Sequence, residues 1–273
     1  MNPESRFEGT LRYVAAHWPA YLVGYGGSAL LALLFALFAA GRNWWSFVLL
    51  ALALLLVLGY FSIASLWTVY QQYDRRQNWT SHRLFELGQL QPTDDFVHVG
   101  LGLRATAIRL ARRLTSGHLT VVDVYNPQLA PGRALARARR LSTPFADPRL
   151  TWLDGTIDLL PLPDNSAEAV TLSRTLGELW QRGDQQLLLQ EIFRILAPGG
   201  RLLLAESVRS RRSFFLMGLT ALRLQPPFYW RELLKTAGFR VEKEENVGEL
   251  VHYYRAEKPL PGEMEQLTFD FGL

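Results

Sequence analysis

Two uncharged stretches constrain this chain more than anything else in it. Tyr13–Gly41 runs 29 residues and Asn43–Tyr73 runs 31 without Asp, Glu, Lys or Arg, and only Arg42 separates them. A helix rises about 1.5 Å per residue, so about 20 apolar residues cross the ~30 Å hydrocarbon layer of a bilayer. Each stretch holds such a segment, Tyr21–Ala40 and Trp45–Trp67. The second is apolar on every side and has no face to offer water. Trp18, Tyr21, Trp44, Trp45, Trp67, Tyr70 and Tyr73 gather at the ends, where amphipathic rings suit the membrane–water interface. The sequence therefore predicts a membrane anchor over residues 1–73, with spanning helices at about 20–41 and 44–68. A turn this short makes them an antiparallel hairpin. Gly24 and Ser28, four residues apart, form a small-xxx-small pair suited to close helix packing.

Acidic Glu4 and Glu8 beside the first basic residues, and a second span at once, argue against a cleaved signal peptide. Arg6 and Arg12 precede the hairpin, Arg75, Arg76 and Arg83 follow it, and its turn carries only Arg42. The positive-inside rule then puts both termini, and the soluble part, in the cytoplasm. This reading gives an inner (cytoplasmic) membrane protein with two spans, whose partner is the lipid bilayer.

The overall values of 49% hydrophobic and 20% charged residues average two unlike parts. Absence of cysteine excludes disulfides, thiolate metal sites and cysteine nucleophiles. The five histidines are scattered without metal-ligand spacing, so no metal is expected. The net charge of +4 is small, and its excess near the span ends sets topology; no nucleic-acid partner is implied.

Residues 74–92 read as a charged linker helix with Trp79, Leu84 and Leu87 on one stripe. A globular domain follows over 93–258, then a C-terminal tail, 259–273. In the domain, apolar strands alternate with helices. Strands are expected at Phe96–Val99, Leu119–Val124, Leu150–Leu153, Ala169–Leu172 and Arg201–Ala205, with a final pair at Val241–Glu245 and Leu250–Ala256. Helices are expected at Ala105–Leu114, Leu129–Leu141, Gln185–Leu196 (capped by Asp184) and Tyr229–Ala237. This alternation predicts an α/β fold, a doubly wound, mostly parallel sheet of seven strands covered on both faces. Such sheets bind ligands beyond the carboxyl ends of their strands.

The first strand runs into HVGLGLR, residues 98–104. A Gly-x-Gly turn between strand and helix lets backbone approach a ligand closely. The second strand closes on Asp123, 23 residues after Gly100, where an acid can accept hydrogen bonds from ribose hydroxyls. Residues 159–170 read LLPLPDNSAEAV and residues 191–206 read EIFRILAPGGRLLLAE. With these segments the domain resembles the class I S-adenosylmethionine-dependent methyltransferases, in particular the type 11 branch that includes quinone-biosynthesis methyltransferases.

The resemblance implies a Rossmann-like fold and S-adenosylmethionine as cofactor. It also assigns residues by position. Gly100 and Gly102 would line the methionine and ribose, Asp123 would bind the ribose hydroxyls, and Val124 and Tyr125 would flank the adenine. Gly155, Thr156 and Ile157 would run along the adenine edge. Ser173 and Arg174 would face the transferable methyl group. Independently of the resemblance, Glu178 follows the fourth strand and is a further candidate for catalysis, as a base, or else a solvated loop residue. The Arg194 and Pro198-Gly199-Gly200 segment is the family's structural signature and performs no chemistry.

Three positions depart from the family pattern. His98 stands where the first loop usually opens with an acid, Arg104 replaces the third glycine, and Thr156 replaces an acid near the adenine, with Asp154 and Asp158 close by. Two readings follow: an active enzyme with an altered methionine subsite in which His98 and Arg104 join the cofactor-binding residues, or a degenerate methyltransferase-fold scaffold or regulatory protein without catalysis. The rhodoquinone-forming enzymes also resemble this branch and depart at the first loop, which adds non-methyl quinone chemistry as an alternative. Arg209, Arg211 and Arg212 precede Phe214, Phe215, Leu216, Met217 and Leu219, a pattern suited to an interfacial element above the acceptor pocket. The arginines of 133–140 are expected to face solvent or lipid headgroups. Taken together, the expected protein is a methyltransferase acting on a hydrophobic small-molecule acceptor, a quinone or a lipid, at the cytoplasmic membrane face. The sequence leaves its oligomeric state open.

Overall fold

A computed structural model describes residues 8–70, 77–142, 146–213, 218–247 and 250–262. The chain divides into two compact units, Met1–Gln77 and Asn78–Leu273.

In the first unit, α1 (Glu8–Tyr21) passes through a π-helical turn at Leu22–Gly27 into α2 (Ser28–Gly41). Tyr21 and Gly27 both keep helical dihedrals, so the helix continues through the junctions. A tight turn with Asn43 at φ 58° leads into α3 (Trp45–Tyr70). Leu22–Gly41 and Trp45–Trp67 are long and apolar enough to cross a membrane. Ala32, Ala36 and Ala39 are buried along one side of α2, and Ala51 is buried on α3. The small stripe therefore lies one to three turns beyond the expected Gly24–Ser28 pair, and Gly24 itself faces open space. The large side chains of both helices point outward. A polar contact crosses the hairpin: Tyr21 Oη and Ser65 Oγ lie 3.1 Å apart.

The second unit is built on a seven-stranded sheet of order β3-β2-β1-β4-β5-β7-β6. Its strands are β1 (Phe96–Gly100), β2 (Leu119–Asp123), β3 (Leu150–Asp154), β4 (Ala167–Ser173), β5 (Leu196–Ser207), β6 (Arg240–Val247) and β7 (Val251–Glu257). The first five are parallel to one another, and β7 runs antiparallel between β5 and β6. Alternation sorts the side chains into two cores. Val97, Val99, Val122, Leu202 and Leu204 face a layer containing α7 (Arg182–Ile195) and α8 (Pro227–Thr236). Phe96, Leu119, Val121, Leu203 and Ala205 face α4 (Gln77–Gly88) and α5 (Arg104–Ala111). One further helix, α6 (Arg133–Arg140), follows β2.

The expected linker helix is α4, and its Leu84, Phe85 and Leu87 are buried against the sheet. Its final glycine is forced by close approach: a Cβ on Gly88 would come 2.3 Å from Leu203 Cδ1. Two arginines from the sheet, Arg201 and Arg255, donate to its last carbonyls, Gly88 and Leu87. Helix α7 starts earlier than expected, with Gln181 at its cap and Asp184 inside the first turn. Strand β5 likewise starts early and includes Pro198-Gly199-Gly200, with Gly199 at φ 76°.

The two motif segments touch each other. Arg194 holds Glu191 at 2.7 Å and Asp164 at 2.5 Å, and donates to the carbonyls of Leu160 and Leu162 at 3.1 Å each. Glu191 accepts from the Leu160 N–H at 3.0 Å. The Leu-Pro-Leu-Pro-Asp loop is thus pinned to α7, which accounts for the motif without chemistry.

Lys258 closes the same helix. Its Nζ donates to Asn165 Oδ1, Phe193 O and Leu196 O, each at 2.7 Å. Lys258→Met keeps the length but leaves those acceptors unpaired. Chemical denaturation of the full-length chain is expected to show a loss of about 2–4 kcal/mol, and an unchanged midpoint would contradict this role for Lys258.

Candidate functional site

Parallel register brings the strand ends to one rim. Gly100 pairs with Asp123, Asp123 with Asp154, Val99 with Leu172, and Ser173 with Ala205. Strand order reverses between β1 and β4, which opens a crevice beyond their carboxyl ends. Loops are laced across it: Val124 N–H donates to Gly100 O, and Gly155 N–H to Asp123 O, both at 3.0 Å.

The floor is the Gly100–Leu103 loop. Gly102 takes φ 72°, a conformation that favours glycine, and Arg104 opens α5. Arg104 turns its guanidinium over the Trp152 ring, 5.4 Å from the centroid. Asp123, with its side chain 20% exposed, accepts the Tyr125 N–H at 3.0 Å. Val124 is buried, and the Tyr125 ring packs half-buried beside it. Across the rim, a Cβ on Gly155 would meet Val122 at 2.8 Å. Thr156 bonds within its own turn to Leu159, and Ile157 is buried. The Thr156 hydroxyl holds Asp158 below the usual carboxylate range.

His98 points into the sheet layer on the α5 side. Its Nδ1 lies 2.9 Å from Thr171 Oγ1, its register partner. Burial lowers its pKa to about 4, so it is a neutral ring beneath the loop and adds no positive charge there. Its Nε2 would lie 3.3 Å from a Cβ on Gly100, so the loop rests on this ring.

Ser173 ends β4, and Arg174 follows at φ 53° with its N–H donating to Ala205 O at 2.8 Å. A non-glycine residue held in this region is strained, and such strain concentrates at functional turns. Thr175 Oγ1 reaches back to Val99 O at 3.3 Å, tying the turn to β1. Glu178 lies at the start of the next loop, its Oε2 3.5 Å from where a Cβ on Gly132 would be. Burial raises its pKa, opposed by Arg174. Of the expected interfacial element, Phe214–Met217 lie outside the described residues, as does the side chain of Leu219. On either side of them, Ser210 and Ser213 cap one another and Gly218–Arg223 forms a 3-10 turn.

Two residues of the site carried no role in the sequence reading. Arg139 turns from α6 onto Asp123, unlike the outward orientation expected for that helix: its Nη1 lies 2.9 and 2.7 Å from the two carboxylate oxygens. Glu206, near the end of β5, is fully buried and accepts the Leu176 N–H at 2.9 Å. An acid at the carboxyl end of a buried strand is the signal that picked out Asp123, and it applies equally to Glu206.

Burial raises Glu206 to about 8, with backbone N–H groups of residues 175–177 opposing the shift. It therefore keeps its proton at neutral pH, and the stability this contributes is complete below its unfolded pKa near 4.5 and lost as pH rises through about 8. His98 acts oppositely. Its contribution is present above its unfolded value of 6.5 and lost as pH falls through about 4. The two slopes cancel between about 4.5 and 6.5, and of this pair Glu206 alone acts between 6.5 and 8. Glu206→Gln mimics the protonated form. Wild-type stability is expected to fall by up to about 1.4 kcal/mol per pH unit in the upper window through Glu206, and that of Glu206→Gln to fall less steeply. Equal slopes in denaturation curves would overturn the assignment.

Residues 97–204 match the family described as methyltransferase domain. The chain is 31% identical over 116 residues to the ubiquinone/menaquinone biosynthesis C-methyltransferase UbiE of Ruegeria sp. (strain TM1040), covering 42% of this chain and 43% of that protein. It is 33% identical over 100 residues to the demethylmenaquinone methyltransferase of Thermus thermophilus, covering 37% and 41%. The chain thus spans less than half the length of these curated relatives. A SAM dependent methyltransferase from Aquifex aeolicus superposes with a TM-score of 0.52 at 19% identity, over 67% of this chain and 92% of that one. At that identity the likeness is one of fold.

Proposed function

Because residues 97–204 match the methyltransferase-domain family, we propose that the chain is a membrane-anchored, S-adenosylmethionine-dependent methyltransferase. Its acceptor is a hydrophobic molecule, a quinone or a lipid, at the cytoplasmic face of the membrane. The observation that carries this reading is the rim itself. A glycine loop with Gly102 at φ 72° lies level with a carboxylate on the adjacent strand. Such a pair accepts a nucleoside: backbone groups contact the ligand closely, and the acid takes two hydroxyl hydrogen bonds. The donor set suits S-adenosylmethionine, with Asp123 for the ribose, Tyr125 for the base, Gly100 and Gly102 for the methionine end, and Ile157 for the adenine edge. One guanidinium, that of Arg139, must leave Asp123 first. When bound, S-adenosylmethionine supplies an electrophilic methyl group on a sulfonium.

The protein's part is chiefly alignment. Ser173 and the strained Arg174 face the acceptor side. Glu178, with its pKa raised by burial, is a stronger base than an ordinary exposed carboxylate and suited to take a proton from an acceptor hydroxyl. The apolar hairpin supports a membrane-dissolved acceptor, because anchoring raises the local concentration of enzyme and substrate. Trp180 and Phe228, 69% and 70% exposed, add apolar surface beside Arg182 and Tyr229. Interfacial aromatic side chains with a neighbouring arginine suit a lipid headgroup layer.

Two experiments test the reading. Cells lacking the protein are expected to accumulate a quinone or lipid short of one CH2, seen by mass spectrometry of membrane extracts and restored by the wild-type gene but not by Asp123→Ala. Unchanged profiles would sink the acceptor assignment. Glu178→Gln is expected to lower turnover on that acceptor by about 10²–10⁴-fold, while S-adenosylhomocysteine binding stays the same. Full turnover in this variant would remove Glu178 as the base.

A further inference from the structure

Asp123 is the acid level with the glycine loop, and both of its oxygens are already engaged. Arg139 Nη1 bridges Oδ1 and Oδ2 and also donates to Leu101 O at 2.6 Å. The same guanidinium lies 4.1 Å from the centroid of the Tyr125 ring. A Cβ built on Gly102 would come 1.6 Å from Nη1. One side chain therefore fills the space bounded by the loop floor, the carboxylate and the aromatic ring, the three surfaces that a nucleoside would use. The pair is only partly shielded, with Arg139 27% and Asp123 20% exposed. Such a partly shielded, charge-assisted pair contributes on the order of 1 kcal/mol and opens by a rotamer change, so a ligand can reverse it.

We propose that Arg139 is an internal competitor for the cofactor: its guanidinium occupies the nucleoside subsite, and the cofactor enters only by displacing it from Asp123. The proposal rests on the reading of Asp123 as the ribose-binding residue. It makes Arg139 a determinant of cofactor affinity contributed by the chain itself. Apparent affinity is reduced by the fraction of molecules in which the guanidinium sits on the carboxylate. The competitor is ionic while S-adenosylhomocysteine carries no net charge. Salt therefore weakens the competitor more than the ligand.

The test is equilibrium binding of S-adenosylhomocysteine to the full-length chain in detergent, measured by calorimetry. Arg139→Ala and Arg139→Gln are expected to bind about tenfold more tightly than wild type, as removal of a competing charge-assisted contact implies. Wild-type affinity is expected to rise from low to high salt, and that of both variants to stay level. In an Asp123→Asn background, Arg139→Ala is expected to give no gain. Binding that is unchanged or weaker in both Arg139 variants, with wild type still binding, would overturn the competitor role and leave the cofactor reading standing. Absence of binding by every variant at millimolar ligand would overturn both.

Discussion

Strand β1 pairs in parallel with β2 on one side and β4 on the other, and the rim of the sheet depends on that double pairing. Its register fixes which residues end level with one another: Gly100, Asp123 and Asp154 in one row, with Ser173 following from the Val99–Leu172 pair. A slip of one residue would turn Asp123 into a core position and send Val122 to the rim. The register is held from within. Phe96, Val97 and Val99 are buried on alternating faces, and His98 bonds across to Thr171. Burial of each apolar side chain contributes about 1.5–3 kcal/mol, so the pairing is strongly specified.

Beneath the rim, the sheet holds two titratable groups in neutral form. His98 sits under the glycine loop and Glu206 under the turn that carries Arg174 and Glu178. Each supports a loop from below through hydrogen bonds or packing, and neither adds charge to the crevice at neutral pH. The charged groups lie in the half-buried layer above, where Arg139 pairs with Asp123 and Arg174 acts electrostatically on Glu178. Arg104, which replaces a loop glycine, is accommodated by stacking toward Trp152.

Much of this was legible in the sequence because it follows from periodicity and spacing. Alternating apolar runs gave the strands, Asp123 stood out as an acid closing one, and the uncharged stretches gave the two long helices. Boundaries were less legible where tertiary contacts set them. Strand β5 extends through Pro198-Gly199-Gly200 because Lys258 pairs with it there: its carbonyl accepts the Gly199 N–H and its own N–H donates to Gly200 O. The hairpin packs on Ala32, Ala36 and Ala39, and alanine in an apolar run carries no pattern that separates it from its neighbours. Arg139 was illegible for a similar reason: it is one of four arginines within eight residues of α6. Only the position of that helix beside the rim distinguishes it from Arg133 and Arg140, which are exposed. Glu206 was readable by the rule that found Asp123, since both acids sit at the ends of buried strands.

Helix α4 begins at Gln77, seven residues after α3 ends at Tyr70, yet it seals one face of the sheet. A natural-looking cut just before the first strand would strip Leu84, Phe85 and Leu87 from Leu203 and Tyr253 and leave a hydrophobic trough along the sheet. The working boundary of the domain therefore lies upstream of Gln77. In any gene fusion or fission, a break keeps this face of the sheet covered only if it falls upstream of Gln77, so α4 is inherited with the sheet.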